Sequence, residues 1–122
     1  MSDLQKAQAL LQLARQHCKG GQVSALALEI LLSVAQKPQT MEQLTVSCNA
    51  THGQVNRAAR QFCRWYDRRA ECLVEPPAEL CWLVRRRVPR GKGEVGAPKH
   101  RYSLSRTGRN LLETAGFSAP VT

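Results

Sequence analysis

Residues 51–69 constrain the fold more than any other part of the chain, because one helical periodicity runs through them. At about 100° per residue, the apolar side chains gather on one side of a helix: Val55, Ala58, Ala59, Phe62 and Tyr66. Four arginines form a narrow stripe on the opposite side: Arg57, Arg60, Arg64 and Arg68. The pattern predicts a helix with one face in the core and the other lined by guanidinium groups.

Capping signals define where this helix and the one before it begin. Thr51 followed three residues later by Gln54 is a capping box, which leaves the first-turn N–H groups pointing outward. Thr40 and Gln43 repeat the signal for a short helix at residues 41–47. A turn at residues 48–50 separates the two helices, and this arrangement is typical of a helix-turn-helix, whose second helix lies in the major groove of DNA.

The positive charge of the chain is concentrated in two stretches. An arginine stripe on an isolated helix is most simply a solvated surface, so the distribution over the whole chain matters. Residues 85–109 carry nine Lys or Arg against one Glu, and residues 52–69 carry five Arg against one Asp. The net charges of these two stretches, +8 and +4, together exceed the net charge of +9 for the whole chain. Such segregation is expected of a polyanion-binding surface and indicates nucleic acid as the partner.

Two further helices are predicted before the capped pair. Residues 3–18 have apolar side chains at alternating spacings of three and four: Leu4, Ala7, Leu11, Ala14 and Cys18. Two heptads are too few for a free coiled coil, so this helix either docks on its own domain or pairs with a second chain. Residues 25–35 follow the cap Ser24 and are apolar nearly all round, which predicts a second helix at the buried centre of the fold.

After residue 69 the pattern changes to extended structure. Leu73 and Val74 begin a strand, which two prolines interrupt to make residues 75–79 a loop. Residues 80–88 and 100–104 are β-rich runs, joined by a segment rich in Gly, Pro and positive charge. They predict a hairpin with a long basic tip. Ser105 caps a last helix from Arg106 to about residue 115, which presents two leucines to the core.

The end of the chain carries the most specific motif, Tyr-x-Leu-Ser-x-x-Gly-x-x-Leu-Leu at residues 102–112. It resembles the Tyr-x-Leu-Thr-x-x-Gly-x-x-Leu-Leu ending of the wing and following helix in MarR-like and PadR-like bacterial regulators, with Ser105 where Thr is usual. Together with the order helix, short helix, turn, longer helix and basic hairpin, the chain resembles a winged helix-turn-helix domain over residues 24–116. The resemblance implies a dimeric prokaryotic or phage DNA-binding regulator, with the long helix in the major groove and the wing near the minor groove.

The expected fold class is α+β, mostly α: a winged helix-turn-helix with a basic β-hairpin wing and flanking N- and C-terminal helices. Residues 1–22 are expected to be a dimer arm or docked helix, residues 23–117 the winged helix-turn-helix domain and residues 118–122 a tail. The expected function is sequence-specific binding of double-stranded DNA by a homodimeric transcriptional regulator. Repression is the simpler mechanism, because a bound repressor blocks polymerase without an activating surface.

The candidate DNA-binding residues fall into two groups. The first lies near the start of the long helix, where recognition helices reach base edges: Thr51, His52, Gln54, Asn56, Arg57, Arg60 and Gln61. The second comprises basic residues at the end of that helix and on the wing, which would hold phosphates: Arg64, Arg68, Arg87, Arg90, Lys92, Lys99 and Arg101. Trp65 and Trp82 have apolar neighbours and are expected to be core aromatics rather than base-stacking platforms.

Two other functions remain open on the same fold. One is a protein-interaction or RNA-binding adaptor, since a fold does not fix a function. The other is a thiol-sensing regulator, because the chain has five cysteines. Their odd number and the absence of a Cys-x-x-Cys pair favour reduced thiols over disulfides or a zinc site.

Enzyme activity, cofactors and a membrane location are not expected. The three histidines lie in different elements without an evident carboxylate partner, so no catalytic set is indicated. No cofactor or metal site is predicted, and the sequence does not reveal a small-molecule effector. No apolar run approaches the ~20 residues that span a bilayer, and the N-terminus lacks the order of a signal peptide, so a cytoplasmic location is expected.

Overall fold

The chain folds into a mixed α+β structure that is mostly helical, as expected. The computed structural model describes residues 2–18, 23–89, 91, 93 and 99–117. Within these residues there are five α-helices: α1 (Asp3–His17), α2 (Ala25–Gln36), α3 (Met41–Ser47), α4 (His52–Arg60) and α5 (Arg106–Thr114). None of these helices is long and apolar enough to cross a membrane.

The strands are short and form two antiparallel sheets among the described residues: β1 (Gln39–Thr40), β2 (Trp65–Asp67), β3 (Cys72–Val74), β4 (Leu83–Arg87) and β5 (His100–Leu104). Strand β5 lies between β1 and β4, whereas β2 pairs only with β3. The predicted run at residues 80–88 is a strand only over β4, because Ala78–Leu80 form a 3₁₀ helix before it.

Side-chain caps place the helix starts where the sequence predicts them. The Thr40 and Thr51 hydroxyls accept hydrogen bonds from the N–H groups of Gln43 and Gln54, at 3.3 and 3.2 Å. Each glutamine side chain accepts a bond from its threonine N–H in return, which completes both capping boxes. These local bonds confirm the predicted starts of α3 and α4.

A tight turn joins α3 to α4 and packs them together. The N–H of Ala50 bonds to the Thr45 carbonyl at 3.1 Å, and Asn49 has a φ of 50°, a left-handed conformation that Asn tolerates better than most residues. Helices α2, α3 and α4 contact one another. Val55 and Ala59 of α4 are completely buried between them.

The long helix predicted for residues 51–69 is wrong in its second half. Helix α4 ends at Arg60, and Phe62 turns inward to stack on Trp82, with ring centroids 4.4 Å apart and planes 5° from parallel. The chain then enters β2, so Tyr66 is 55% exposed rather than buried in the core. The apolar period continues past Arg60, but the Phe62 carbonyl accepts a hydrogen bond from the Leu83 N–H at 2.9 Å rather than from the next turn of a helix.

Backbone contacts around Trp82 hold α5 against the start of β4. The Ser105 N–H donates to the Trp82 carbonyl at 3.0 Å, and the Ser105 hydroxyl bonds both to the Cys81 carbonyl and to the Gly108 N–H. A Cβ on Gly108 would overlap the Trp82 carbonyl oxygen. The Ser and Gly of the C-terminal motif therefore allow α5 to lie directly on the backbone of residues 81 and 82.

Helix α1 docks on the domain through part of the predicted apolar stripe. Ala14 of the stripe is buried together with Leu10, which lies outside the stripe, and α1 contacts α5. Leu4 and Leu11, the large apolar residues of the stripe, are 84% and 48% exposed. Phe117 packs against the core after α5.

We predict that Gly108→Ala destabilises the fold by about 1–3 kcal/mol, because the added methyl must displace backbone. Gly53→Ala is the matched control: Gly53 is also in a first helical turn, but nothing lies within 4 Å of its Cβ position. Because Ala is the better helix former, Gly53→Ala should raise stability by up to about 1 kcal/mol. Urea denaturation of both variants measures the two changes, and equal effects would contradict the close-approach argument.

Candidate nucleic-acid interface

A basic cleft of about 870 Å³ lies beside α4. One wall is the β4–β5 hairpin, the other is the β2–β3 hairpin, and one side of α4 lies between them. The β4–β5 hairpin is distant in sequence from α4 and the β2–β3 hairpin, so the cleft exists only in the folded chain.

The alternation of side chains along β4 places arginines on the β4–β5 wall of the cleft. Leu83, Arg85 and Arg87 share one face of β4, since side chains two residues apart point the same way. Leu83 is buried, so this face of β4 lies in the core at its start and carries exposed arginine at its end. The register pairs Arg87 with His100, and both line the cleft.

Helix α4 supplies side chains at four-residue spacing. His52, Asn56 and Arg60 lie on one side of the helix and line the cleft. The Arg60 guanidinium lies 4.1 Å above the centroid of the Trp65 ring. This cation–π contact, typically about 0.5–1 kcal/mol at an exposed site, links the end of α4 to strand β2.

The β2–β3 hairpin presents two arginines at its tip. Asp67 organises the turn, because one carboxylate oxygen accepts bonds from the N–H groups of Arg69 and Ala70, at 3.0 and 3.3 Å. Glu71 completes the turn with a φ of 52°. Arg68 and Arg69 are exposed and line the cleft opposite β4 and β5.

The cleft carries a strong positive charge. Six of its described lining residues are cationic: Arg60, Arg68, Arg69, Arg85, Arg87 and Lys99. Only two are carboxylates, Glu42 and Asp67, and the Asp67 carboxylate already bonds to the turn backbone. A cleft with this balance attracts anions, and its size exceeds that of a single bound ion.

Burial and the neighbouring arginines disfavour protonation of His100. Burial lowers the pKa of His100 from its usual 6.5, and the charges of Arg85 and Arg87 lower it further. The Arg85 Nη2 and His100 Nδ1 atoms are 3.3 Å apart. Below this pair, burial raises the pKa of Tyr102, with Arg85 opposing the shift.

Three of the predicted base-reading residues line the cleft: His52, Asn56 and Arg60. Arg57 and Gln61 are exposed outside it. The Thr51 and Gln54 side chains are engaged in the α4 cap.

The predicted phosphate-binding residues are dispersed. Arg68, Arg87 and Lys99 line the cleft. Arg64 does not continue a helical stripe, because α4 has ended; its Nε lies 2.7 Å from the Glu75 carboxylate. Arg101 is exposed on the opposite face of the sheet. Arg90 and Lys92 lie outside the described residues.

Several lining residues are not among those predicted from the sequence, including Trp65, Tyr66, Arg69, Arg85 and His100. Trp65 is only partly buried, so the expectation that it is a core aromatic is wrong, whereas Trp82 is a core residue with 1% exposure. A signal for the missed hairpin was present. An aromatic pair and the run Cys-Leu-Val flank Asp67 and four turn residues, which is typical of two strands around a loop.

All five cysteines are free, and they differ in environment. Cys63 is completely buried, and burial raises the pKa of its thiol to about 11. A thiol of this kind stays protonated near neutral pH and is a poor nucleophile. Within the part of the chain that the structure describes, no group of three or more His, Cys, Asp or Glu residues could hold a metal ion.

Comparison with known proteins returns no match to this chain, whether with protein-family models, curated proteins or solved structures.

The lowered pKa of His100 predicts a pH dependence of stability. The unfolded chain takes up a proton at His100 near pH 6.5, whereas the folded chain resists it, so the unfolded state binds more protons in this window. The free energy of unfolding should therefore fall as the pH decreases below about 6.5. We expect a smaller fall in His100→Gln, measured by urea denaturation between pH 7.5 and 5.5. Identical profiles in the two proteins would contradict the assignment.

Proposed function

We propose that this chain is a winged helix-turn-helix protein that binds double-stranded DNA sequence-specifically and regulates transcription. The observation that carries the proposal is the basic cleft that α4 forms with the β4–β5 and β2–β3 hairpins. Helices α3 and α4 are joined by a tight turn, and the β4–β5 hairpin follows them in the order of a winged helix. The hairpin would be the wing.

Helix α4 is suited to enter the major groove. Its buried side chains point towards α2 and α3, and its outward face carries Gly53 and Arg57. Nothing lies within 4 Å of the Gly53 Cβ position, so a ligand can approach the helix backbone closely there. Arg57 is exposed and, as an arginine, can bond in a bidentate way to the O6 and N7 atoms of guanine.

Repression in the cytoplasm is the simplest regulatory role for such a protein. A chain that occupies a promoter site excludes polymerase without any activating surface. A palindromic site would match a twofold-symmetric dimer of the chain.

Arg57→Ala tests base recognition by α4. If Arg57 contacts a base edge, its loss should weaken binding to the preferred site by about 1–3 kcal/mol and relax the preference at one base position. Selection of bound sequences from a random duplex pool, with wild type and variant, measures both effects.

Arg64→Ala is the matched control, because it also removes one arginine near α4. The Arg64 side chain is 60% exposed and bonds to Glu75, and such pairs contribute little stability. We expect the selected motif to be unchanged in this variant.

The wild-type protein itself distinguishes the proposal from the adaptor function. If it selects no motif from the duplex pool, or prefers structured RNA in competition with duplex DNA, the adaptor function is favoured instead.

A homodimer through α1 is the second part of the proposal. Leu4 and Leu11 are exposed on α1, which is otherwise held by Leu10 and Ala14. Leu4→Ser/Leu11→Ser should therefore yield a folded monomer that binds a single half-site normally but a two-half-site duplex more weakly. Light scattering at micromolar concentration measures the assembly, and a monomeric wild type would overturn this part.

A further inference from the structure

We propose that the β2–β3 hairpin is a second DNA-contacting arm, and that one sugar–phosphate strand of the duplex lies between it and the β4–β5 hairpin. The inference rests on the DNA binding proposed above. It extends that function to a surface outside the helix-turn-helix and the wing.

One contact joins the base of the β2–β3 hairpin to α4: Arg60 stacks on Trp65, the first residue of β2. Arg64, just before β2, bonds to Glu75 after β3, but this exposed pair only joins the two ends of the hairpin to each other. The Arg60–Trp65 contact therefore places the base of the hairpin beside the end of α4.

The tip of the hairpin is built to present charge. The Asp67 carboxylate fixes the turn through the backbone, which leaves the side chains of Arg68 and Arg69 free of it. Both residues are exposed and line the cleft. Their placement adds nothing to the hydrophobic core, whose buried residues lie elsewhere.

The two walls of the cleft are both cationic. Arg68 and Arg69 lie on one wall, and Arg87 and Lys99 lie on the other. Like charges on facing walls repel, so the arrangement is offset best by an anion that passes between them. The two lining carboxylates, Glu42 and Asp67, offset only two of the six lining cations, so the cleft keeps an excess of four positive charges.

A nucleic-acid strand fits this arrangement better than a small anion. Each DNA strand carries one phosphate per about 3.4 Å of helix axis, so a strand in the cleft offers several phosphates in succession to both walls. A free phosphate or similar ion would satisfy only part of the six lining cations. With α4 in the major groove, as proposed, the backbone that borders the groove would pass beside this helix.

Arg68→Ala/Arg69→Ala tests the second arm. If each arginine neutralises one phosphate, the slope of log K against log salt should decrease by about 1.8, at ~0.9 per contact. Equivalently, the affinity gap between wild type and variant should narrow about twelvefold between 50 and 200 mM salt. The melting temperature should not change, because both side chains are exposed on a loop.

Arg15→Ala/Lys37→Ala is the matched control, since it also removes two exposed positive charges, but from α1 and the end of α2. Neither residue lines the cleft. We expect its salt slope to stay within about 0.5 of the wild-type value, because it removes no phosphate contact. If the two double variants behave alike, the hairpin contributes only to the general charge and the inference is wrong.

Neutral backbone substitutions locate the strand. Replacing one phosphate at a time by methylphosphonate should weaken wild-type binding at the positions that the arm contacts, and Arg68→Ala/Arg69→Ala should lose sensitivity at those positions alone. If every position keeps its effect in the variant, no phosphate contacts the arm.

The outcomes separate this inference from the proposed function. If the wild-type protein binds no duplex, the proposed function is wrong. If the wild-type protein binds duplex but Arg68→Ala/Arg69→Ala has the same salt slope as the control variant, only this inference is wrong. If inorganic phosphate binds the wild-type protein and no duplex does, the cleft is a small-anion site and not a site for a nucleic-acid strand.

Discussion

The contact of α5 with the backbone at Trp82 is the interaction on which the rest of the structure depends. Trp82 stacks on Phe62 just after α4, and its carbonyl accepts the Ser105 N–H just before α5. The next residue, Leu83, donates its N–H to the Phe62 carbonyl at 2.9 Å. This one position therefore connects the end of α4, the start of β4 and the cap of α5. It sets where the β4–β5 hairpin stands relative to α4, and hence where that wall of the cleft lies.

The sequence predicted features that depend on neighbours a few residues away. The starts of α3, α4 and α5 follow from caps in which a hydroxyl bonds to the N–H three residues later. The end of α4 was missed because no Gly or Pro marks it and the apolar period continues to Tyr66. Just after α4, the Phe62 ring stacks on Trp82 and the Phe62 carbonyl pairs with the Leu83 N–H, and no local pattern predicts partners at least twenty residues away in the sequence.

The basic character of the candidate site could be predicted from the sequence, but only some of its residues could. Charge segregation indicated a polyanion surface, and His52, Asn56 and Arg60 fall on one side of α4 as helical spacing requires. Arg85 and His100 were missed because their role depends on the register of two strands separated by a long connection. Arg64 shows the opposite error: it fits the predicted stripe, but its real partner is Glu75, on the loop that the prolines create.

Core packing and the charge of the cleft are coupled through the strand register. Leu83 and Tyr102 lie on the buried face of the β4–β5 hairpin, so the same face carries Arg85, Arg87 and His100 towards the cleft. A slip of one residue in β4 would turn Arg86 towards the cleft, turn Arg85 and Arg87 away, and expose Leu83 to solvent. The hydrophobic cost of that exposure maintains the basic wall. Arg85 contacts His100 on this face, whereas Arg87 is exposed at its end and is available to an anionic partner.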